Sequence, residues 1–213
     1  MNPNFWHERW QRNEIGFHQQ EINAHLQDFW GQLAVPAGGL VFVPLCGKSR
    51  DLLWLRARGH AVLGIEISPI AVRDFFAENA LVPRVQRQGA FERYEADGLA
   101  ILCGDFFDLT PEWLQGVVGV YDRASLIALP PELRTRYAEH SAAILPAAVG
   151  TLLVTMEYPQ HEMSGPPFAV HEDEVRRLYD KRYAVTCLLS KDILAENPRF
   201  RERGLSALSE KVY

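Results

Sequence analysis

The stretch LVFVPLCGKSRDLLWLRARGHAVLGIE, residues 40–66, determines the fold class of this chain. It begins with an apolar run of strand length, 40–45, and it ends with a second one, 61–66. Continuous apolar runs of this kind are typical of parallel strands that are buried on both faces. The residues between them carry leucines at helical spacing, and Gly59 suits the end of that helix. The stretch therefore predicts a βαβ unit, whose crossover is expected to be right-handed.

The same alternation of strands and helices continues on both sides of this unit. After the second strand, Ser68 suits a helix cap and Pro69 suits the first helical position. The other predicted elements are an N-terminal helix with Asn4 as a possible cap, helices over 23–33, 132–145 and 171–180, and strands at 99–103, 117–121, 151–156, 184–189 and 208–213. We therefore predict an α/β fold, with an open, mostly parallel sheet and helices on both faces.

Composition restricts the function classes that this fold can serve. The chain has 213 residues, of which 47% are hydrophobic, and this length predicts one domain over 1–213. Its net charge of −5 disfavours nucleic acid as a partner. No apolar run approaches the ~20 residues of a membrane span, and the first ten residues lack a signal-peptide pattern. Three widely spaced cysteines fit neither a disulfide framework nor a zinc site. We expect a cytosolic monomer without a bound metal.

The turn after the first strand invites comparison with phosphate-binding loops, because ligands of such sheets bind at the carboxyl ends of the strands. Gly47-Lys48-Ser49 matches the end of a P-loop, but Phe42 stands where that motif needs its first glycine. Gly47 is also the only glycine in the turn, so the dinucleotide fingerprint fails as well. Both phosphate motifs are therefore disfavoured.

Glu66 is the acidic residue at the end of the second strand, 19 residues after Gly47. A carboxylate at about this spacing accepts hydrogen bonds from ribose hydroxyls in nucleotide-binding sheets, and its two oxygens match a vicinal diol. A solvated surface glutamate would show the same spacing. From the residues alone, a ribose-bearing nucleotide and a surface role both remain open.

Several longer strings along the chain carry a more specific signal. They are Trp10, GFHQ (16–19), VPLCGK (43–48), GH (59–60), GIEIS (64–68), CGDFF (103–107), YDR (121–123), GPPF (165–168) and SEKVY (209–213). In this order they resemble the thiopurine S-methyltransferase family, in its compact bacterial form, over nearly the whole chain. The resemblance implies a class I methyltransferase fold with one antiparallel strand, S-adenosylmethionine as cofactor, and residues 1–35 as a helical cover over the active site.

The resemblance also implies roles for individual residues. The cofactor contacts that it implies are Trp10, Leu45, Gly47, Glu66, Asp105, Phe106 and Arg123. The acceptor contacts that it implies are Phe17, His18, Arg123, Phe168 and Arg199. Arg123 fits either side, because a guanidinium pairs with a carboxylate or with the polar edge of a heteroaromatic ring. For Arg199 the local match is poor, and Arg201 and Arg203 are alternatives. The resemblance assigns no catalytic residue and no metal ligand.

Several of these positions also have an ordinary structural interpretation. Trp10 fits a buried core residue, His18 a loop residue and Cys46 a small buried hydrophobic residue. Lys48 fits a solvated residue at a helix start, and Asp122 a local ion pair with Arg123 that contributes little if exposed.

The implied activity is S-methylation of thiopurines and other aromatic or heterocyclic thiols, with S-adenosylhomocysteine as product. Bacterial members of the family are also linked to selenium and tellurium species. Two alternatives remain, a non-catalytic S-adenosylmethionine sensor and another nucleotide-cofactor enzyme on the same fold, such as a nicotinamide oxidoreductase. A nucleic-acid methyltransferase fits least, since no basic stripe with interleaved aromatic residues is present.

Overall fold

The computed structural model of the chain describes residues 3–213, so the first two residues of the predicted domain and of its N-terminal cover lie outside it. The helices in this range are α1 (Pro3–Gln11), α2 (Ala24–Phe29), α3 (Asp51–Ala57), α4 (Pro69–Glu78), α5 (Ser125–Ala128), α6 (Pro131–Ile144), α7 (Glu172–Tyr179) and α8 (Pro198–Glu202). The strands are β1 (Leu40–Val43), β2 (Ala61–Glu66), β3 (Arg84–Gln88), β4 (Phe91–Ala96), β5 (Leu99–Cys103), β6 (Val117–Arg123), β7 (Gly150–Glu157), β8 (Leu189–Asp192) and β9 (Ser209–Val212).

These elements form two compact units. Among the described residues, the first contains those up to Tyr121 together with Ile144–Thr151, and the second contains Asp122–Ala143 and Leu152–Tyr213. The chain passes from one unit to the other three times, within β6, at the end of α6 and within β7. One domain over the whole chain therefore stays a prediction, and each unit is described separately.

The first unit contains the predicted parallel core. β2 pairs in parallel with β1 and with β5, and β1 pairs in parallel with β6. Nearly every residue of β1, β2 and β5 is buried, on both faces of the sheet. Parallel strands that are covered on both faces need such continuous apolar runs, which is why the sequence pattern identified them. The registers place Glu66 beside Cys103, at the carboxyl ends of β2 and β5.

Antiparallel pairing is more extensive than the single antiparallel strand that we expected. In the first unit, β4 runs antiparallel to β3 and β5, and in the second unit β9 runs antiparallel to β7 and β8. Within residues 3–213, two strands, β4 and β9, thus run antiparallel to both of their neighbours. The β3–β4 hairpin was not predicted, because β3 has an exposed, largely polar pattern.

Local signals predicted the start of α4 and the end of α3, but the start of α1 and the strand expected before β8 differ from the prediction. The Ser68 hydroxyl caps α4 by accepting from the Ala71 N–H at 3.4 Å, and Gly59 follows α3 with a φ of 90°. Asn4, by contrast, lies inside α1 and does not cap it. The strand expected at 184–189 is wrong, since β8 begins at Leu189. The carbonyl of Val185 accepts from the Arg176 side chain instead of from a neighbouring strand.

The second unit has an apolar cluster of its own. Its buried members are Met156, Tyr158, Met163, Ala169, Ile193, Phe200, Leu205 and Leu208. Ile127 and Leu194 pack against it. The cluster joins α8 to the segment after β7, and it therefore supports the loop that carries Phe168.

Candidate functional site

The turn after β1 has two residues in the left-handed region. Leu45 has a φ of 44° and Gly47 a φ of 54°. For a leucine this conformation costs on the order of 1–3 kcal/mol and persists only where the surroundings enforce it. Two hydrogen bonds do so here: the Cys46 N–H donates to the Ile65 carbonyl, and the Gly47 N–H donates to Oε2 of Glu66, both at 2.9 Å. The turn is therefore tied to the end of β2.

Glu66 is the buried carboxylate at the centre of this arrangement, with 6% of its surface exposed. Its second oxygen, Oε1, accepts from the Ser68 N–H at 2.7 Å. Burial raises the pKa of Glu66 to about 7, although the N–H groups of Ser68 and Gly47 act in the opposite direction. A carboxylate has about four acceptor sites, so these two bonds leave capacity on each oxygen for a further donor. The surface-glutamate interpretation is thus wrong.

The end of β5 lies directly beside Glu66. The Gly104 N–H donates to the Glu66 carbonyl at 3.0 Å, and the next residue, Asp105, begins a short 3-10 helix by accepting from the Phe107 N–H at 2.9 Å. Phe106 in that helix is buried. The structure thus brings Asp105 and Phe106 to the strand edge that carries Glu66, while their contact with a cofactor stays a prediction.

Aromatic side chains of the N-terminal segment cover the Gly47 turn. Trp10 is buried, and a Cβ atom built on Gly47 would lie 3.4 Å from its ring. The ring of Phe17 contacts that of Trp10 edge-to-face, with 5.7 Å between centroids, and Phe17 is 38% exposed. His18 is half-buried next to it. Trp10, Phe17, Gly47 and Glu66, which are far apart in the sequence, thus form one connected group.

Asp51 anchors the segment that follows these aromatic residues. Its carboxylate is buried and accepts from the Asn23 N–H at 2.9 Å and from the Tyr121 hydroxyl at 3.1 Å. Asn23 in turn caps α2 through the N–H groups of His25 and Leu26. The N-terminal segment is therefore fixed to the start of α3 by buried polar contacts.

The expectation that Lys48 is a solvated residue at a helix start is wrong. Lys48 is buried rather than solvated, and its Nζ lies 2.6 Å from Oε1 of Glu78 and 3.7 Å from Oδ2 of Asp74 on α4. The same ammonium group lies 6.0 Å from the centre of the Trp10 ring. Its partners are 26 and 30 residues further along the chain, so no local pattern indicated this role. Cys46 is buried as expected, and burial raises the pKa of its thiol.

In the second unit, Arg123 is half-buried at the end of β6. The residue before it, Asp122, is buried, and its local ion pair with Arg123 stays a prediction. Its Oδ2 accepts from the Tyr137 hydroxyl at 2.8 Å. Burial raises the pKa of Asp122 to about 6, against the hydrogen bonds from Ser125 and Tyr137.

Phe168 lies in a loop that several polar contacts hold in place. Its N–H donates to the Ile127 carbonyl at 2.7 Å, and the Pro167 carbonyl accepts from the Tyr158 hydroxyl at 2.6 Å. Gly165 has a φ of 73°, and a Cβ atom there would lie 2.5 Å from the Phe168 ring. Arg199 and Arg201 are exposed on α8, and Arg203 is exposed directly after it, so exposure does not separate these three candidates.

The Gly165→Ala variant is expected to lose about 1–3 kcal/mol of stability, from left-handed strain and from contact with the Phe168 ring. Gly204→Ala is the matched control, because Gly204 has a φ of 94° with nothing within 4 Å of its Cβ position. Chemical denaturation of both variants measures the difference. Equal losses would show that the Phe168 ring moves aside at no cost.

Two further properties of the described residues concern metals and membranes. Within residues 3–213, no group of three His, Cys, Asp or Glu side chains is arranged to hold a metal ion. None of the helices in that range combines the length and the apolar character that are needed to cross a bilayer.

Comparisons with known proteins identify relatives of the whole chain. Residues 1–213 match the family model described as Thiopurine S-methyltransferase (TPMT). A thiopurine S-methyltransferase of Nitrosospira multiformis is 54% identical, with 100% of this chain and 97% of that protein covered. One from Pseudomonas fluorescens is 51% identical, with coverages of 100% and 98%.

A solved structure shows the fold independently. It is the 1,6-didemethyltoxoflavin-N1-methyltransferase of Burkholderia thailandensis with 1,6-didemethyltoxoflavin and S-adenosylhomocysteine bound. The TM-score is 0.64 at 16% identity, over 99% of this chain and 85% of that one. The predicted class I methyltransferase fold is thereby confirmed.

Proposed function

This chain belongs to the thiopurine S-methyltransferase family, and on that premise we propose that it transfers the methyl group of S-adenosylmethionine to the sulfur of thiopurines and other aromatic or heterocyclic thiols. The observation that carries the proposal is the buried Glu66 carboxylate at the end of β2, bound to the N–H of the Gly47 turn. A class I methyltransferase needs such an acceptor for the ribose of its cofactor.

The residues of the first unit fit S-adenosylmethionine in several ways. Glu66 has acceptor capacity on both oxygens for a vicinal diol. We propose that the left-handed turn at Leu45 and Gly47 lies near the methionine portion of the cofactor; Trp10 covers that turn. Asp105 and Phe106, beside Glu66, are proposed to border the adenine. The bound cofactor supplies an electrophilic sulfonium methyl group, so the protein contributes orientation and exclusion of water.

The acceptor contacts stay as the resemblance assigned them. In the first unit these are Phe17, whose partly exposed ring is available for stacking, and His18. In the second unit they are Arg123, Phe168 and Arg199, with Arg123 suited to either the acceptor or the cofactor carboxylate. An ionised or thione-form acceptor needs no general base, and we assign none. Selenium and tellurium species are an extension to other soft nucleophiles.

A radiolabelled methyl donor tests this function directly. Purified protein is incubated with labelled S-adenosylmethionine and 6-mercaptopurine, an aryl thiol or a selenium oxyanion, and methylated product is counted. Transfer to the two thiols is the expected result. Binding of S-adenosylhomocysteine without transfer to any of these would instead identify the sensor alternative. A thermal shift with NAD but not with S-adenosylhomocysteine would identify a nicotinamide enzyme.

The Phe17→Ala variant is expected to raise the KM for 6-mercaptopurine about 3–10-fold, because an exposed ring that stacks on a heterocycle contributes about 1 kcal/mol. The Kd of S-adenosylhomocysteine should change less. The KM of Phe17→Leu, which keeps apolar bulk, should lie between those of the wild type and Phe17→Ala. Val82→Ala, at an exposed apolar site, is the control. A larger effect on the cofactor than on the acceptor would contradict this role.

We also propose that the protein acts as a cytosolic monomer. Its three cysteines, Cys46, Cys103 and Cys187, are free thiols, as is usual in a reducing compartment. Light scattering at micromolar concentration measures the oligomeric state, and a dimer mass would overturn that part of the proposal.

A further inference from the structure

Arg134 on α6 is an unusual residue in the second unit, because its large charged side chain is only 1% exposed. The proposed mechanism does not use it. Burial of a guanidinium is costly unless its donors are bound. The partners of its guanidinium therefore identify the segments that Arg134 connects.

One set of contacts reaches the segment that follows Arg123. The Nε of Arg134 donates to the carbonyls of Leu126, at 3.1 Å, and Leu129, at 2.9 Å. Both carbonyls belong to α5 or to its cap, and α5 is a single turn. The Leu126 carbonyl also accepts from the Leu129 N–H at 3.1 Å, so Arg134 adds a second donor there and a donor for the Leu129 carbonyl at the end of α5. It thereby fixes the backbone that leads out of Arg123.

A second set of contacts reaches the Phe168 loop. The guanidinium carbon lies 5.8 Å from the centre of the Phe168 ring, within the range of a cation–π contact. The Phe168 N–H donates to Ile127 of α5, the same turn that Arg134 contacts. On the far side, Nη1 donates to Oε2 of Glu174 on α7 at 2.6 Å, which orients the guanidinium plane.

The same helix also holds the residue on the other side of Arg123. Tyr137, one turn after Arg134 on α6, is buried and donates its hydroxyl to the buried Asp122. α6 thus contacts the side chain of the residue before Arg123 through Tyr137, and the backbone of the segment after it through Arg134. Arg123 itself is left half-buried between these two supports.

We propose that Arg134 is a positioning residue for the methyl acceptor, because it sets the distance between the Arg123 strand end and the Phe168 ring. This inference rests on the proposed function, in which Arg123 and Phe168 contact the acceptor. The role requires an arginine. Its planar fork serves two carbonyls, a carboxylate and a ring face at once, whereas a lysine ammonium is a single compact charge on a flexible stem.

The Arg134→Lys variant tests the proposal in steady-state kinetics with 6-mercaptopurine. The expected result is a rise in acceptor KM of about tenfold, with the Kd of S-adenosylhomocysteine within about twofold of the wild-type value. Arg136→Lys is the matched control, since Arg136 is exposed on the same helix. An unchanged acceptor KM in a folded Arg134→Lys protein would overturn the proposal, as would a change confined to cofactor affinity.

A double-mutant cycle separates positioning from general stability. If Arg134 acts through Phe168, Arg134→Lys adds little to the acceptor KM once Phe168→Leu is present, whereas independent structural effects multiply. If Arg134→Lys does not fold, Glu174→Gln takes its place, because it keeps an acceptor for Nη1 and removes the charge. An unchanged KM in that folded variant overturns the proposal. Wild-type protein that transfers no methyl group overturns the proposed function instead, so the two failures are distinguishable.

Discussion

The Glu66→Ala variant is expected to bind S-adenosylhomocysteine about 10–100-fold more weakly than the wild type, which corresponds to roughly 1–3 kcal/mol. In the proposed complex the ribose hydroxyls lose their acceptor. The N–H groups of Gly47 and Ser68 also lose the carboxylate that ties the Leu45–Gly47 turn to β2. Both effects weaken the cofactor site, and isothermal titration calorimetry measures their sum.

Two controls make this result specific. Glu95→Ala removes a carboxylate from β4 of the same unit that is exposed and pairs with Arg93, so it should leave the affinity unchanged. Thermal unfolding of each variant without ligand shows whether the fold persists. A Kd for Glu66→Ala within about twofold of the wild-type value would remove Glu66 from the ribose-binding role.

Cofactor affinity is expected to rise with pH up to about 7 and then to level off. In the ligand-free protein, burial raises the pKa of Glu66 to about 7, so the carboxyl is largely protonated at lower pH. Ribose hydroxyls that donate to the carboxylate favour its charged form and lower its pKa in the complex. Binding therefore releases up to one proton below pH 7, and the affinity rises by up to about tenfold per pH unit there.

Stability without ligand should follow the opposite trend. Because the folded-state pKa of Glu66 lies above its ordinary value of 4.5, the protonated carboxyl favours folding at low pH. That contribution is lost as the pH rises from 4.5 to 7, and it amounts to about 3 kcal/mol. Asp122 acts in the same direction, since burial raises its pKa from 3.8 to about 6.

The Glu66→Gln variant identifies the group that is responsible. It removes the titration while keeping the shape of the side chain, so both the rise of affinity and the Glu66 part of the stability loss should disappear. The thiols of Cys46 and Cys103, which also interact with Glu66, do not titrate in this window, because burial raises their pKa values. If the pH profiles of cofactor affinity and of stability in Glu66→Gln match those of the wild type, Glu66 is not the group responsible.

Local chemistry explains which parts of the fold were predictable. The β1–α3–β2 unit, the Ser68 cap and the Gly59 stop each depend on residues a few positions apart, and the structure contains all three. The β3–β4 hairpin was missed because an exposed strand lacks the apolar pattern that identifies a buried one. The strand expected at 184–189 begins only at Leu189, and the backbone carbonyl of Val185 accepts from the Arg176 side chain, a contact that no local pattern indicates.

The sequence by itself determined the family, the parallel core and the positions of Gly47 and Glu66 at neighbouring strand ends, because these depend on apolar runs, turn residues and short strings. Only the tertiary structure decided the electrostatic state of the site. It buries Glu66, and this desolvation raises its pKa. It also buries Lys48 against Glu78 and Arg134 against Glu174, pairs that lie 30 and 40 residues apart in the chain. Desolvation and pairing over such separations depend on which surfaces pack together, and no local pattern of residues records that.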